Sequence, residues 1–436
     1  MPSAVLHGLL SLATVVFLIA GPVAFAQEGD WDDDDWGDDW GDESLSPSPW
    51  TGFLELGLGA RTGSDPVIDD DLTLGELRLR LETDRDLGAA RLGFKGDVYY
   101  DAVTDQFEGE LREMALSFSP VSSADLKIGR QVLTWGTGDF VFLNDLFPKD
   151  FQSFFSGRDD EYLKAPSDTI RASWFGDAFN VDVAWSPEFE PDRYLTGERF
   201  SFFSPPAGTI VAPDSGRVGA PDEFPEDGEI AVRIFANASG AEWALYGYRG
   251  FFKGPEGLAM NGQLFFPRLN VWGASLRRPL GPGLINAEVA CYDSRDDSDG
   301  TNPGVPNDQL RFLLGYEQEL ITNLTLGLQG YLERTLDHSA LLAASPAPSL
   351  EPEHNRAVLT ARLTYRAFRD RLTAGLFTFA SPTDGDYHLR PSITYRWSDE
   401  WTFTAGANLF GGDDRHTFFN HLSGNENVFV RARYNF

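Results

Sequence analysis

Arginines at alternating positions are the residues of this chain best suited to act on a solute. Arg362 and Arg366, for example, are an even number of residues apart, so in a β-strand they project from one face. Arginine stays charged at any physiological pH, and rows of charge along a water-filled lumen bias which ions enter. The predicted pore-lining residues are Arg78, Arg80, Arg91, Arg362, Arg366, Arg390 and Arg396.

Acidic residues share these faces and leave a second interpretation open. Glu76 and Glu82 lie in phase with Arg78 and Arg80, and Glu333 lies on the polar face of a later segment. The arginines would then only pair with these carboxylates and tie strands together, whereas in the first interpretation they attract anions or face an acidic loop across a constriction. We favour a solvated row of arginines, because a dry core does not tolerate so many inward charges.

The segment from Gly136 to Ser167 combines phenylalanine with aspartate and is the predicted constriction loop. Its aromatic side chains need a surface to bury against, and the nearest one is the inner wall. We therefore expect the loop to fold inward and narrow the pore, with a helical turn within Asn144–Phe155. Alternatively, the aromatics line a site for a hydrophobic or aromatic solute. The candidate constriction residues are Asp139, Phe142, Asp145, Phe147, Asp150 and Phe154.

Motifs of enzymes and cofactor sites do not occur in the chain. There is no His-Glu-x-x-His zinc motif, no Gly-x-Ser-x-Gly elbow and no phosphate-binding P-loop. We predict that the protein is not an enzyme and uses neither a metal nor a cofactor. The net charge is −32, from 67 acidic and 35 basic residues, and no basic patch dominates, so nucleic acid is not an expected partner.

Strict alternation of side chains indicates the elements that position these residues. In the final segment Val428, Val430 and Ala432 alternate with arginines, and the chain ends on Phe436. An apolar face opposite a polar face is the pattern of a strand in a membrane barrel. Eighteen segments between Trp50 and Phe436 show this alternation, among them Gln263–Arg277, and most approach the ~9–11 residues that a tilted membrane strand needs.

The connections between these segments alternate between tight turns and longer loops. Turns such as Asp86-Leu87-Gly88 and Ser398–Glu400 are followed by long connections such as Ser186–Asp227. This asymmetry is typical of periplasmic turns and extracellular loops. The predicted fold is therefore all-β: a transmembrane antiparallel up-and-down β-barrel of about eighteen strands, with sixteen as the alternative count, and an inward-folded loop.

The N-terminus predicts export and an unusual tail. Residues 1–26 read as a signal peptide, with an apolar run before Ala24-Phe25-Ala26. Residues 27–48 form an acidic, tryptophan-rich segment, which we interpret as a disordered periplasmic tail that could bind Ca²⁺ or a periplasmic partner. Residues 49–436 would form the barrel.

The signal sequence, the aromatic final strand and the alternating hairpins resemble Gram-negative outer-membrane porins. The stretch Gly129-Arg130-Gln131 followed by Trp135-Gly136 is similar to an uncharacterised porin-like family, in which such a motif precedes a long aromatic loop. The resemblance implies an outer-membrane location, contact with the lipid bilayer and lipopolysaccharide, and passage of small solutes.

Three functions follow as hypotheses. The first is a porin for passive diffusion of small solutes, with an arginine-lined lumen and loop 136–167 as its constriction. The second is a plugged barrel that acts as a structural or partner-docking protein. The third is an uptake channel for hydrophobic or aromatic solutes. The solute, the oligomeric state and the direction of flux stay open.

Overall fold

Eighteen antiparallel strands form one closed barrel, which confirms the predicted fold class. The computed structural model describes residues 50–205, 207–213 and 218–436. The predicted signal peptide and acidic tail lie outside these residues. Each barrel strand pairs with its neighbours in sequence, and the last strand pairs with the first. Closure leaves no strand edge unpaired, as a wall in hydrocarbon requires.

Each of the eighteen predicted segments overlaps one barrel strand. They are β1 (Thr51–Arg61), β2 (Leu72–Asp86), β3 (Arg91–Asp101), β4 (Gln106–Val121), β5 (Ala124–Val132), β6 (Pro166–Phe175), β7 (Asn180–Ser186), β11 (Glu229–Ala238), β12 (Ala241–Phe251), β15 (Arg268–Leu280), β16 (Gly283–Ser294), β17 (Gln309–Ile321), β18 (Leu324–Thr335), β19 (Asn355–Ala367), β20 (Leu372–Ser381), β21 (Asp386–Arg396), β22 (Trp401–Gly412) and β23 (Asn427–Asn435).

Short elements occupy the long loops. Two α-helices are described, α1 (Phe151–Ser156) and α2 (His338–Ala344), and single 3₁₀ turns occur at Asp160–Leu163, Pro348–Leu350 and Asn420–Leu422. Neither helix in the described part of the chain is long and apolar enough to cross a membrane. Two small sheets are formed by β8 (Phe202–Ser204) with β9 (Thr209–Val211), and by β10 (Val218–Gly219), β13 (Gly257–Leu258) and β14 (Leu264–Phe265).

The small three-stranded sheet explains why the predicted start of one barrel strand is wrong. We predicted a single strand over Gln263–Arg277, but the barrel strand begins only at Arg268. Leu264 and Phe265 pair instead with Val218 and Gly219 and with the β13 residues. A local apolar pattern does not reveal which sheet a segment joins, because pairing partners come from distant parts of the chain.

The first and last barrel strands close the barrel at the side of the tight turns. Strand β23 pairs with β1 in register, with Val430 opposite Leu58. The backbone groups of Gly52 and Phe436 then exchange two hydrogen bonds, of 3.1 and 3.0 Å. The last residue therefore completes the wall, which is the role that its alternating pattern predicted.

Alternation along each strand separates an apolar outside from a polar inside. In β18, Leu328 is 50% exposed on the outside, whereas Tyr331 in the opposite phase is 8% exposed. In β19, Leu359 and Leu363 face outward and Arg362 faces inward, against residue Asp139 of a loop. A continuous apolar outer surface on a closed barrel suits hydrocarbon rather than water.

An outward charge should therefore destabilise the barrel. We expect Leu314→Arg, at an exposed outward position in the middle of β17, to lower the free energy of unfolding by about 2–4 kcal/mol in a bilayer. Urea unfolding in phospholipid vesicles measures this. Glu317→Arg, at an exposed position in the inward phase of the same strand, is the matched control. Equal stability of the two variants would contradict the assignment of the faces.

Candidate functional site

The connection between β5 and β6 lies inside the barrel against several distant strands. We call residues 133–165 the inward loop; they correspond to the predicted loop 136–167. On one side, the Glu288 carboxylate of β16 accepts hydrogen bonds from the Gly138 backbone N–H and from the Asn144 amide, each at 2.7 Å. The Tyr292 hydroxyl donates to the Leu143 carbonyl at 2.7 Å.

Helix α1 anchors the inward loop to the opposite wall. Asp150 caps its N-terminus, because the Oδ1 atom accepts from the Ser153 N–H at 2.7 Å. At the other end, side-chain amides of Asn408 and Asn427 both donate to the Phe155 carbonyl at 3.0 Å. Gly157 then ends the helix in the left-handed region at a φ of 91°, which favours glycine.

Arginines of the wall pair with carboxylates of the inward loop at several points. The Nε and Nη2 atoms of Arg362 on β19 donate hydrogen bonds to the two carboxylate oxygens of Asp139, and the Nη2–Oδ1 distance is 2.6 Å. Such bidentate pairs combine charge with fixed geometry. Three further wall-to-loop pairs, each at 2.8 Å, join Arg80 to Glu161, Arg390 to Asp160 and Arg431 to Asp159.

Arg78 and Arg80 are buried beneath the inward loop, which corrects the expectation that they form a solvated row. Their exposed fractions are 2% and 0%. Both pair with Asp97 on β3, at 2.8 and 2.6 Å, and Arg80 also pairs with Glu161. The Tyr162 ring covers both guanidinium groups, with its centroid 4.5 and 5.0 Å from their carbons. Pairing with carboxylates, the second interpretation of the sequence, holds at these two residues.

Three of the predicted pore-lining arginines lie near the tight-turn end of the barrel, away from the inward loop. Arg366 and Arg396 are exposed in the inward phase of β19 and β21, and no side-chain ion pair joins either of them to another described residue. Arg91 pairs with Asp84 at 3.2 Å, but both side chains are about two-thirds exposed. An exposed pair of this kind contributes little to stability.

The predicted constriction residues all lie in the inward loop, and several of them pack against other residues of the loop or against the wall. Phe147 packs edge-on against Trp135 at 5.0 Å, and Phe154 lies under the guanidinium carbon of Arg390 at 3.9 Å. Asp145 pairs with Lys149 at 3.0 Å. The Lys149 ammonium also lies 4.7 Å from the Phe142 ring. The helical turn expected in Asn144–Phe155 is α1, which starts after Pro148.

A second loop that we expected in outer solvent also enters the barrel. It joins β7 to β11 and carries Arg193 and Arg199. Arg193 pairs with Asp150 of α1 at 3.2 Å, while Arg199 donates to the Thr73 carbonyl at 2.6 Å and pairs with Asp101. Phe200 beside it is fully buried. The aromatic stretch around Phe200 was the available signal, but the surrounding acidic and proline residues obscured it.

Above the inward loop lies a large cavity at the end of the barrel that carries the long loops. Its volume is about 1660 Å³. We call it the mouth cavity. The inward loop lines it together with the loops that follow β7, β12, β16 and β18. Many of its side chains are aromatic: they include Phe140, Phe142, Phe151, Phe202, Phe252 and Phe418.

Solved structures of outer-membrane β-barrel proteins share this fold. OccAB2 of Acinetobacter baumannii is 11% identical over 89% of this chain and 97% of its own, with a TM-score of 0.52. OccD3 (OpdP) of Pseudomonas aeruginosa is 11% identical over 89% of this chain and 91% of its own, with a TM-score of 0.50. At such identities the likeness shows the fold alone.

Comparisons of the sequence do not assign this chain to a protein family. No sequence profile of a known protein family matches this chain, and no curated protein matches it. The porin-like family that the Gly129-Arg130-Gln131 stretch resembles therefore stays a prediction. In the structure, Arg130 points to the outside of β5 and pairs with Glu190 at 2.9 Å and with Asp168 at 3.2 Å.

Breaking the buried pair at Arg80 should cost far more than breaking an exposed one. Arg80→Met leaves Asp97 buried with one cation fewer, so we expect a loss of about 3–5 kcal/mol in the free energy of unfolding. Arg91→Met, which removes an exposed pair with Asp84, should change it by about 0–1 kcal/mol. Urea unfolding in lipid vesicles compares them, and equal losses would contradict a buried cluster.

Proposed function

We propose that this protein is an outer-membrane channel for passive diffusion of small solutes. The observation that carries the proposal is a closed eighteen-stranded wall, apolar outside and polar inside. Barrels of 16–18 strands are wide enough to leave an aqueous channel. Such a wall is stable in a bilayer, so we place the protein in the outer membrane, in contact with lipid and lipopolysaccharide. The fold it shares with outer-membrane channels supports this.

In this proposal the inward loop sets the size limit of the pore. The loop crosses the lumen from β16 to β23 and is held at Asp139, Asp159, Asp160 and Glu161 by wall arginines. Because these contacts come from many strands, the loop has few ways to move aside. A fixed obstruction inside a wide wall is what a diffusion channel needs to exclude large solutes.

The ion preference of the channel would come from arginines that no carboxylate neutralises. Within the described part of the chain, Arg366 and Arg396 meet that description near the tight-turn end, whereas Arg78, Arg80, Arg362 and Arg390 are each joined to a carboxylate. We therefore expect a modest preference for anions that is weaker at high salt, since screening shortens the reach of exposed charges.

The mouth cavity favours a more specific version of this function, an uptake channel for solutes with an aromatic or apolar part. Small-molecule sites are concave, largely apolar and lined by a few polar groups. The cavity meets these criteria through its phenylalanines. A plugged barrel that docks a periplasmic partner or Ca²⁺ through residues 27–48 stays a prediction from the sequence. Deletion of the tail tests it, because a channel keeps conducting without it.

Neutralising the unpaired arginines should shift ion selectivity. For Arg366→Gln with Arg396→Gln we expect the cation-to-anion permeability ratio to rise by about two- to fivefold at low salt, because each exposed charge changes the local potential modestly. Reversal potentials in planar bilayers under a salt gradient measure the ratio. Arg278→Gln, in the exposed last part of β15, is a control for net charge. No conductance from any form of the protein would sink the channel proposal.

Releasing the inward loop should widen the pore. Asp139→Asn with Asp160→Asn removes two of the attachments to the wall, and we expect a larger and noisier single-channel conductance. Asp399→Asn, in the tight turn between β21 and β22, removes a carboxylate remote from the loop and should leave conductance unchanged. Unchanged conductance in the double variant would show that the loop does not limit the pore.

A further inference from the structure

The basic side chains that line the mouth cavity are already neutralised by partners. Lys149 and Arg356, for instance, each lie within 3.0 Å of a carboxylate oxygen. A cation that is already paired has little remaining attraction for an anionic ligand. The pairs are Lys149 with Asp145, Lys253 with Glu229, Arg311 with Glu333 and Arg356 with Asp384.

Three carboxylates of the same cavity form no direct ion pair with any described residue, although Lys149 and Lys253 lie near Asp192 and Arg311 lies near Glu256. Asp192 accepts a hydrogen bond from the Lys149 backbone N–H at 2.6 Å, and Glu351 accepts one from the Ser345 hydroxyl. The Glu256 side chain lines the cavity and forms no side-chain hydrogen bond in the described part of the chain. The cavity therefore carries an excess of negative charge next to aromatic rings.

The surroundings of Glu256 and Asp192 raise the pKa values of both carboxyl groups. Burial among the loops raises the pKa of Glu256 to about 7, with Glu333 and Asp192 adding to the effect and Arg311 opposing it. Burial likewise raises the pKa of Asp192 to about 6, with Asp145 adding to the effect and Lys149 and Lys253 opposing it. Carboxylates that are costly to ionise gain most from an incoming cation.

We propose that the mouth cavity binds an organic ammonium ion with an apolar or aromatic body. The ammonium group would lie against Glu256 and Asp192, where its charge is matched. The apolar body would contact the phenylalanine rings, whose faces also attract cations. The inference rests on the proposed channel function, since it names the class of solute that the outer mouth would collect.

Charge and shape together favour this ligand over its alternatives. A carboxylate of the same size would meet Glu256 and Asp192 without a free cation to offset them, because the lining lysines and arginines are paired. An inorganic cation would leave the aromatic lining unused. Only a ligand with both a positive group and an apolar surface uses the two features that the cavity presents.

Binding of matched probes to the full-length protein in detergent tests the proposal. Isothermal titration calorimetry would compare phenethylammonium with 3-phenylpropionate, which has a similar body and the opposite charge. We expect the ammonium to bind at least about tenfold more tightly, as an interaction with unpaired carboxylates predicts. Equal or tighter binding of the carboxylate would overturn the proposal.

Isosteric variants localise the site. Glu256→Gln should weaken ammonium binding about tenfold, and Asp192→Asn, at the other carboxylate of the proposed site, serves as a second variant should the first fail to fold. Glu317→Gln, which removes an exposed inward carboxylate outside the cavity lining, should leave binding unchanged. Loss of affinity in the control equal to that in the lining variants would also overturn the proposal, because it would indicate a general effect of charge.

The pH dependence of binding provides a separate readout. Lowering the pH from about 8 to about 5.5 protonates carboxylates whose pKa values are raised to this range, so affinity for phenethylammonium should fall. Arg311, Glu333 and Asp192 face Glu256, and Glu256→Gln should flatten the profile. Ammonium binding without any conductance would reject the channel while retaining the site; conductance with no preference for ammonium would do the reverse.

Discussion

The width of the wall is the constraint on which the rest of this structure depends. Eighteen tilted strands enclose more space than inward side chains of the wall can fill, so the interior must be built from something else. Here two loops enter the lumen, and the largest cluster of buried apolar residues lies between them and the wall. Phe154 and Phe155 of the inward loop pack with Phe379 and Phe410 of the strands.

Charge arrangement inside the barrel follows from the same packing. Once the inward loop covers part of the wall, Arg78 and Arg80 leave water, and a buried guanidinium without a partner would be very unfavourable. Asp97 and Glu161 supply the partners, one from the wall and one from the loop. Pairing thus both compensates burial and attaches the loop, whereas Arg366 and Arg396 stay exposed near the tight turns.

The prediction of the wall succeeded where the relevant interactions are local. Alternation in segments such as Leu324–Thr335 reports a strand with two different faces, and turn lengths report which strands are neighbours. The candidate site was predicted less completely. The inward loop was identified from its phenylalanines, but the depth to which Arg78 and Arg80 are buried, and the entry of Arg199 and Phe200 from a second loop, were not. Those features depend on contacts between residues about a hundred positions apart.

By itself, the sequence determined the closed wall, its two faces and the residues that point inward, because strand alternation and turn length are properties of short segments. Only the tertiary structure decided which inward charges are paired and which are exposed, and that Glu256 and Asp192 line the mouth cavity without a direct ion pair to any described residue. The physical reason is that the free energy of a charge depends on the partners and the water that surround it. In this barrel those surroundings are supplied by loops that return to the wall from far along the chain.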